Sequence, residues 1–311
     1  QMLELVPAIR ENNLATASEV ILGLPGDTYQ GIIDTFRGLM DAKIEDIQCF
    51  TCMMLDGAEM NSVKEREKWN FKTKFRVIPK DFTKLKNGKN VVEIEEVIIE
   101  NNTLTFKEYV ELRCISFSLF VINIGIVYRP LLKFLSENNI EVFELIYETV
   151  KNLENAPISV QSVFKSFEKQ TIEELWDSPE EIEAHYQNDQ EYQKLLDEVS
   201  GMNVMQFHHA LVVLHHMDDW TNYIMSIAKD LLKKQTHFDS IEEQFEDIEK
   251  YCFGLSHNVL SSTRMSDNPE FHFNYDVAKW INSENKLFNF KHNVQSKLKF
   301  ILTTKQNVMI Q

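Results

Sequence analysis

Three groups of residues in this sequence are of types that do chemistry: the turn 23-GLPGDT-28, the pair Cys49-x-x-Cys52, and the run 207-FHHALVVLHHMDDW-220. In the turn, Gly23 and Gly26 let the backbone approach a ligand closely and accept positive φ. Pro25 fixes the bend. Asp27 or Thr28 is placed to cap the helix that follows, whose first amides could meet polar ligand atoms. The turn lacks the Gly-Lys-Ser/Thr ending of a Walker loop and the Gly-x-Gly-x-x-Gly of a dinucleotide site. An ordinary strand-to-helix turn would use the same residues. The cysteine pair falls inside 46-DIQCFTCMML-55, an apolar strand in which side chains three apart point to opposite faces. Two thiols are too few for zinc, so a core or pocket-lining role is expected. In the histidine run, His208 and His215 would share a helix face, as would His209 and His216. The four-residue step from His215 to Asp219 could clamp a metal. No Glu or Cys partner can be placed beside them, and packed or surface histidines are the expectation.

The elements that position these residues are of two kinds. Residues 1–60 alternate: helix 2–13, strand Glu19–Leu22, helix 28–41, and strand 46–55 ending at Asp56-Gly57. Helices between apolar strands mark βαβ units and a parallel sheet, whose ligands sit at the C-terminal strand ends. Gly23–Asp27 and Leu55–Gly57 therefore lie at the functional edge. Residues 61–104 read as a connector of two or three strands packed over that end, with a tight turn at Asn87-Gly88 and acidic–apolar alternation in 90-NVVEIEEVII-99. From Thr105, where Glu108 completes a capping box, the pattern is helical. Segments 129–137, 141–152, 158–169, 180–187, 189–199, 204–234 and 240–260 fit, and 297-KLKFILTTKQNVMI-310 reads as a closing strand or hairpin. The fold class is thus α/β followed by mostly α, with divisions at 1–60, 61–104 and 105–311.

Composition narrows the function classes. The 311 residues are 43% hydrophobic with 21 Phe, ample for a packed core. The net charge of −16 opposes non-specific binding of nucleic acid and docking on an anionic membrane. Acidic runs such as 241-IEEQFEDIEK-250 and 173-EELWDSPEEIE-183 are expected to be solvated helix faces. Trp220, Trp280 and Tyr275 are candidates for a substrate mouth or for core. Four cysteines fit a reducing, cytoplasmic compartment. No signal peptide is visible, and 114-CISFSLFVINIGIVY-128 is shorter than the roughly 18–20 residues of a spanning helix, so a buried helix is expected. The chain opens on Gln1 inside an amphipathic pattern carried by Leu3, Leu5, Ile9 and Leu14, which points to the C-terminal part of a longer protein.

Taken together, 18-SEVILGLPGDTYQGIIDTF-36 and 46-DIQCFTCMMLDGAEMNS-62 resemble the fifth and sixth strands of a radical S-adenosylmethionine barrel. The segments 74-KFRVIPKDF-82, 93-EIEEVIIENNTLTFKEYVELR-113 and 273-FNYDVAKW-280 are similar to the C-terminal region of cobalamin-binding-domain members of that superfamily. The resemblance implies a partial TIM barrel followed by a helical C-terminal domain. It implies S-adenosylmethionine and a 4Fe–4S cluster as cofactors, with cobalamin as well where the reaction is methyl transfer. The reaction would be reductive cleavage of the sulfonium, followed by hydrogen abstraction or methyl transfer on a small-molecule or peptide substrate. Gly23, Leu24, Pro25, Gly26 and Thr28 would then shape the adenine side of the pocket, flanked by Phe50, Thr51 and Cys52. Asp27 stands where the family often has Glu or Gln, and Ala58 where Thr is common. The Cys-x-x-x-Cys-x-x-Cys loop that holds the cluster has no counterpart here, so the ligands would come from a missing N-terminal half and the chain alone would be inactive. The alternative is a non-catalytic, acidic helical interaction module that retains a barrel remnant.

Overall fold

Ala17–Leu22 form strand β1 and Asp46–Thr51 form β2, two parallel strands joined through helix α1, Tyr29–Asp41. The computed structural model that gives this arrangement describes residues 12, 16–44, 46–123, 127–234, 237–256 and 268–301. The expected helix 2–13 lies outside the described residues, apart from Asn12. Strand alternation sends Val20, Leu22, Ile47 and Thr51 to one buried face, where Ile32, Ile33 and Phe36 of α1 pack. The opposite face carries Ile21 beside Phe50, a cross-strand pair with exposures of 42% and 45%.

β2 ends earlier than its apolar run suggests. After Thr51 the chain bends and pairs with a second sheet: Ile98 N donates to Cys52 O, and Met54 N donates to Glu96 O. That sheet is an antiparallel hairpin of β3, Lys72–Lys84, and β4, Asn90–Glu100. Its turn lies at the expected place, with Gly88 at φ +86°. A short helix α2, Val63–Trp69, which sequence periodicity does not announce, leads into β3.

The remainder is mostly helical: α3 Phe106–Asn123, α4 Arg129–Glu137, α5 Val142–Lys151, α6 Ile158–Glu173, α7 Pro179–Tyr186, α8 Asp189–Leu196, α9 Val204–Leu211, α10 Met217–Lys233 and α11 Glu242–Ser256. The capping box at the start of α3 is reciprocal. Thr105 N donates to Glu108 Oε2 at 2.8 Å, and Glu108 N to Thr105 Oγ1 at 3.3 Å. α3 is the central element, buried over most of its length as its apolar sequence requires. On it Phe117 stacks on Phe167 with ring centroids 4.6 Å apart and meets Phe164 and Trp220 edge-on. One apolar cluster runs from Val20 and Phe36 through Phe117 and Trp220 to Trp280. Among the described residues no helix is long and apolar enough to cross a membrane.

Two expectations need correction. The single helix over 204–234 is interrupted by a π-turn, Val212–His216. The extra residue breaks the seven-residue spacing, so His208 is buried while His215 is exposed. The closing strand is β6, Lys291–Lys299, paired antiparallel with β5, Glu270–Tyr275; the rest of 297–310 beyond Ile301 lies outside the described residues.

Candidate functional site

The GLPG turn is built from its own polar groups. Asp27 Oδ2 accepts from Leu24 N at 2.8 Å and from Gly23 N at 3.2 Å, while Thr28 Oγ1 accepts from Gly31 N and caps α1. Gly23 and Gly26 take φ values of +96° and +84°, a region L-residues rarely adopt. The hairpin then buttresses the turn. Thr103 Oγ1 donates to Asp27 O at 2.6 Å and Asn101 Nδ2 to Leu24 O at 3.3 Å. A Cβ on Gly23 would sit 3.2 Å from Ile98 O, and one on Gly26 would touch the Trp69 ring at 3.8 Å. Packing therefore requires glycine at Gly23, whereas at Gly26 the positive φ alone favours it, and the amides of Gly23 and Leu24 are committed to Asp27. Burial pushes the Asp27 carboxyl above its ordinary range, against the pull of those two amides.

The remaining residues singled out at this edge divide between two faces. Phe50 lies on the helix-free face with Ile21, and Leu24 is exposed beside the turn. Thr51 turns the other way and shares a 3.0 Å hydrogen bond with Tyr109 Oη. Cys52 is buried with Met54 and Ile98. Pro25 is exposed at the bend. What this edge offers a ligand is thus an apolar surface, made by Ile21, Leu24, Phe50, Met53 and Leu55, each 38% exposed or more. It suits the face of a flat heteroaromatic ring. These five side chains carry no charge.

A 4Fe–4S cluster does not fit these residues. Its three thiolate ligands would have to converge, and no group of three potential metal ligands occurs among the described residues. Cys49 packs against the main core and Cys52 in a separate small cluster. Burial raises both thiols to about 11, and Cys114 to about 12, so none is poised as a thiolate. The histidines do not form a site either. His208 Nδ1 bonds Val204 O at 2.8 Å and Nε2 meets Ser166 Oγ at 3.0 Å, and burial lowers its basicity. Asp219 takes the Ser159 hydroxyl at 2.5 Å. Trp220 and Trp280 are fully buried core residues, and Tyr275 Oη is tied to Glu243.

A second site escaped the sequence reading. A cleft of roughly 230 Å³ opens between β2, β3, α3 and the start of α9, lined by residues of both faces of β2 from Ile47 to Thr51. Arg76 and Glu95 face each other across the hairpin, and Arg76 Nη1 also bonds Glu174 Oε1 at 2.9 Å. These neighbours hold the Arg76 guanidinium well above its ordinary value despite burial. Arg113 lines the same cleft at 6% exposure, its Nε buried without a hydrogen-bond partner. The signal was in the sequence: Arg113 stands in an apolar helical run with Tyr109, Val110, Ser116 and Phe117 at the neighbouring helical positions, and none can pair with it.

No family model matches the chain, and no curated protein matches it significantly.

Proposed function

We propose that this chain is the C-terminal part of a radical S-adenosylmethionine enzyme, in which β1 and β2 are the last strands of a partial barrel and the helices form its cap. One observation supports the reading above others. A parallel strand pair is ordinarily covered on both faces, yet here the face away from α1 and α3 bears Ile21 and Phe50 half in solvent. Among the described residues β1 pairs with β2 alone, so its outer edge is also open. A barrel that continued past that edge would enclose this face as its lumen. The apolar edge made by Leu24 and Phe50 would then meet the adenine of the cofactor, which supplies the radical chemistry when bound. The residues of this chain exclude water from one side of the ring and hold the strand ends in place. The cluster ligands, and any cobalamin domain, would lie in polypeptide not contained in these 311 residues.

The test is the complete gene product. Purified anaerobically with iron and sulfide, and given S-adenosylmethionine and dithionite, it should release 5′-deoxyadenosine. Phe50→Asp should weaken cofactor binding. An upstream reading frame without a Cys-x-x-x-Cys-x-x-Cys loop, or a reconstituted product that forms no 5′-deoxyadenosine, overturns the reading. An acidic interaction module would then take its place.

A further inference from the structure

We propose that the cleft between β2, β3, α3 and α9 binds a small zwitterion, its carboxylate on Arg113 and its ammonium group at the Glu95–Glu174 end. The argument starts from Arg113. A guanidinium always carries its charge and presents its donors in a fixed fork that matches a carboxylate. Buried charges are otherwise paired, because an unpaired one forfeits its hydration. Arg113 is 6% exposed, its Nε has no partner, and no ion pair joins it to a carboxylate among the described residues. The Phe167 ring centroid lies 5.9 Å from the Arg113 Cζ. Stacking of that kind leaves the edge of the guanidinium available for hydrogen bonds. Arg113 lines the cleft.

The other charged groups that line the cleft have the opposite balance. Glu95 and Glu174 share one guanidinium, Arg76, so two carboxylates face one cation. Their side chains are 13% and 19% exposed, which leaves their charges weakly screened by solvent. Across the four groups the formal charges cancel, but one positive charge sits at Arg113 and one negative excess at the Arg76 cluster. A dianionic phosphate would satisfy the first end and be repelled by the second. A simple cation would do the reverse. A neutral molecule with separated charges matches both. The volume, roughly 230 Å³, admits something the size of an amino acid. Phe50 lines this cleft as well as the apolar edge, but Arg113, Arg76, Glu95 and Glu174, which carry the inference, take no part in the proposed function.

The experiment uses the full 311-residue chain, labelled with ¹⁵N, and follows the Arg113 Nε–Hε resonance, assigned by its loss in Arg113→Lys. The probes are glycine, L-leucine and 5-aminovalerate, which set carboxylate and ammonium at different separations. Acetate and methylammonium serve as half-probes. At least one zwitterion should shift the resonance saturably, about ten-fold more tightly than either half-probe, as one further charge-assisted hydrogen bond allows. Glu174→Gln, with unchanged circular dichroism, should weaken the zwitterion by a similar factor and leave acetate unweakened. The proposal is overturned if no zwitterion gives a saturable shift, if acetate binds as tightly as the best zwitterion, or if Glu174→Gln leaves zwitterion binding unchanged.

Discussion

Replacing Gly23 by Ala separates two explanations of the GLPG turn: a backbone kept bare for a ligand, or one kept bare for the hairpin that packs on it. Gly57 provides the reference, since it too has positive φ, +78°, but a Cβ there meets nothing within 4 Å. Placing an L-residue in this region costs about 1–2 kcal/mol, partly offset by about 0.4–1 kcal/mol from the stiffer unfolded chain. Gly57→Ala should therefore destabilise by about 1 kcal/mol. At Gly23 the new methyl lies 3.2 Å from Ile98 O and 3.5 Å from Ile98 Cγ2. Ile98 is held in place because its N donates to Cys52 O at 2.9 Å. Relief means moving β4 from the end of β2, and overpacking of this kind costs about 1–3 kcal/mol more. Urea denaturation followed by circular dichroism should place Gly23→Ala about 1–3 kcal/mol below Gly57→Ala. Equal stabilities, within about 0.5 kcal/mol, would refute the packing argument and return Gly23 to the ligand side.

Asp27→Ala leaves the Gly23 and Leu24 amides without their acceptor and should cost about 1–3 kcal/mol, whereas Asp27→Asn keeps an acceptor and should be nearly neutral at pH 7; the same denaturation assay checks both, and equal losses would remove the carboxylate from its role in the turn. Glu96 works against its own burial but is held below its ordinary 4.5 by Arg66 and Thr73. Its contribution is therefore complete above that value and is lost as pH falls through the lower, folded one. The stability difference between wild type and Glu96→Gln should be constant from pH 7 to about 5 and shrink below 4.5, and a gap that widens on acidification would contradict the assignment. With Cys49 and Cys52 raised to about 11, alkylation of the native chain by iodoacetamide at pH 8 should run about two orders of magnitude slower than that of a free thiol and climb with pH; mass spectrometry showing rapid modification at either residue would contradict the burial described.

Local signals explain which elements were legible in the sequence. Arg129–Glu137 has Pro130 in its first turn and a helical apolar stripe through Leu131, Phe134 and Leu135, and it forms where that pattern predicts. Thr105 with Glu108, and Ser178 before Pro179, mark helix starts by bonds that depend only on neighbours three residues away. The failures are tertiary. The π-turn at Val212–His216 brings Val212 and Met217, five residues apart and both buried, closer to one face than the about 140° an α-helical period would set between them. β2 stops at Thr51 because β4 offers Cys52 and Met54 new partners, a fact that the apolar run itself does not contain. Strand β5 went unread because Phe271, Phe273 and Tyr275 pair with the polar sequence of β6. The candidate sites follow the same division. The glycines of the turn were legible by type, but the Ile98 carbonyl that explains Gly23 comes from 75 residues away (98 − 23). The Arg113 cleft needs four elements together, and only the absence of a helical partner for Arg113 marked it beforehand.

The central claim, that the helix-free end of β1 and β2 meets the adenine of S-adenosylmethionine, is tested most directly by photolabelling. The complete protein would be irradiated with 8-azido-S-adenosylmethionine and digested, and the labelled peptides identified by mass spectrometry. The account predicts label within residues 21–55, on Leu24, Phe50 or their neighbours, suppressed by excess unmodified S-adenosylmethionine. Suppressible label confined to peptides outside that range would contradict it.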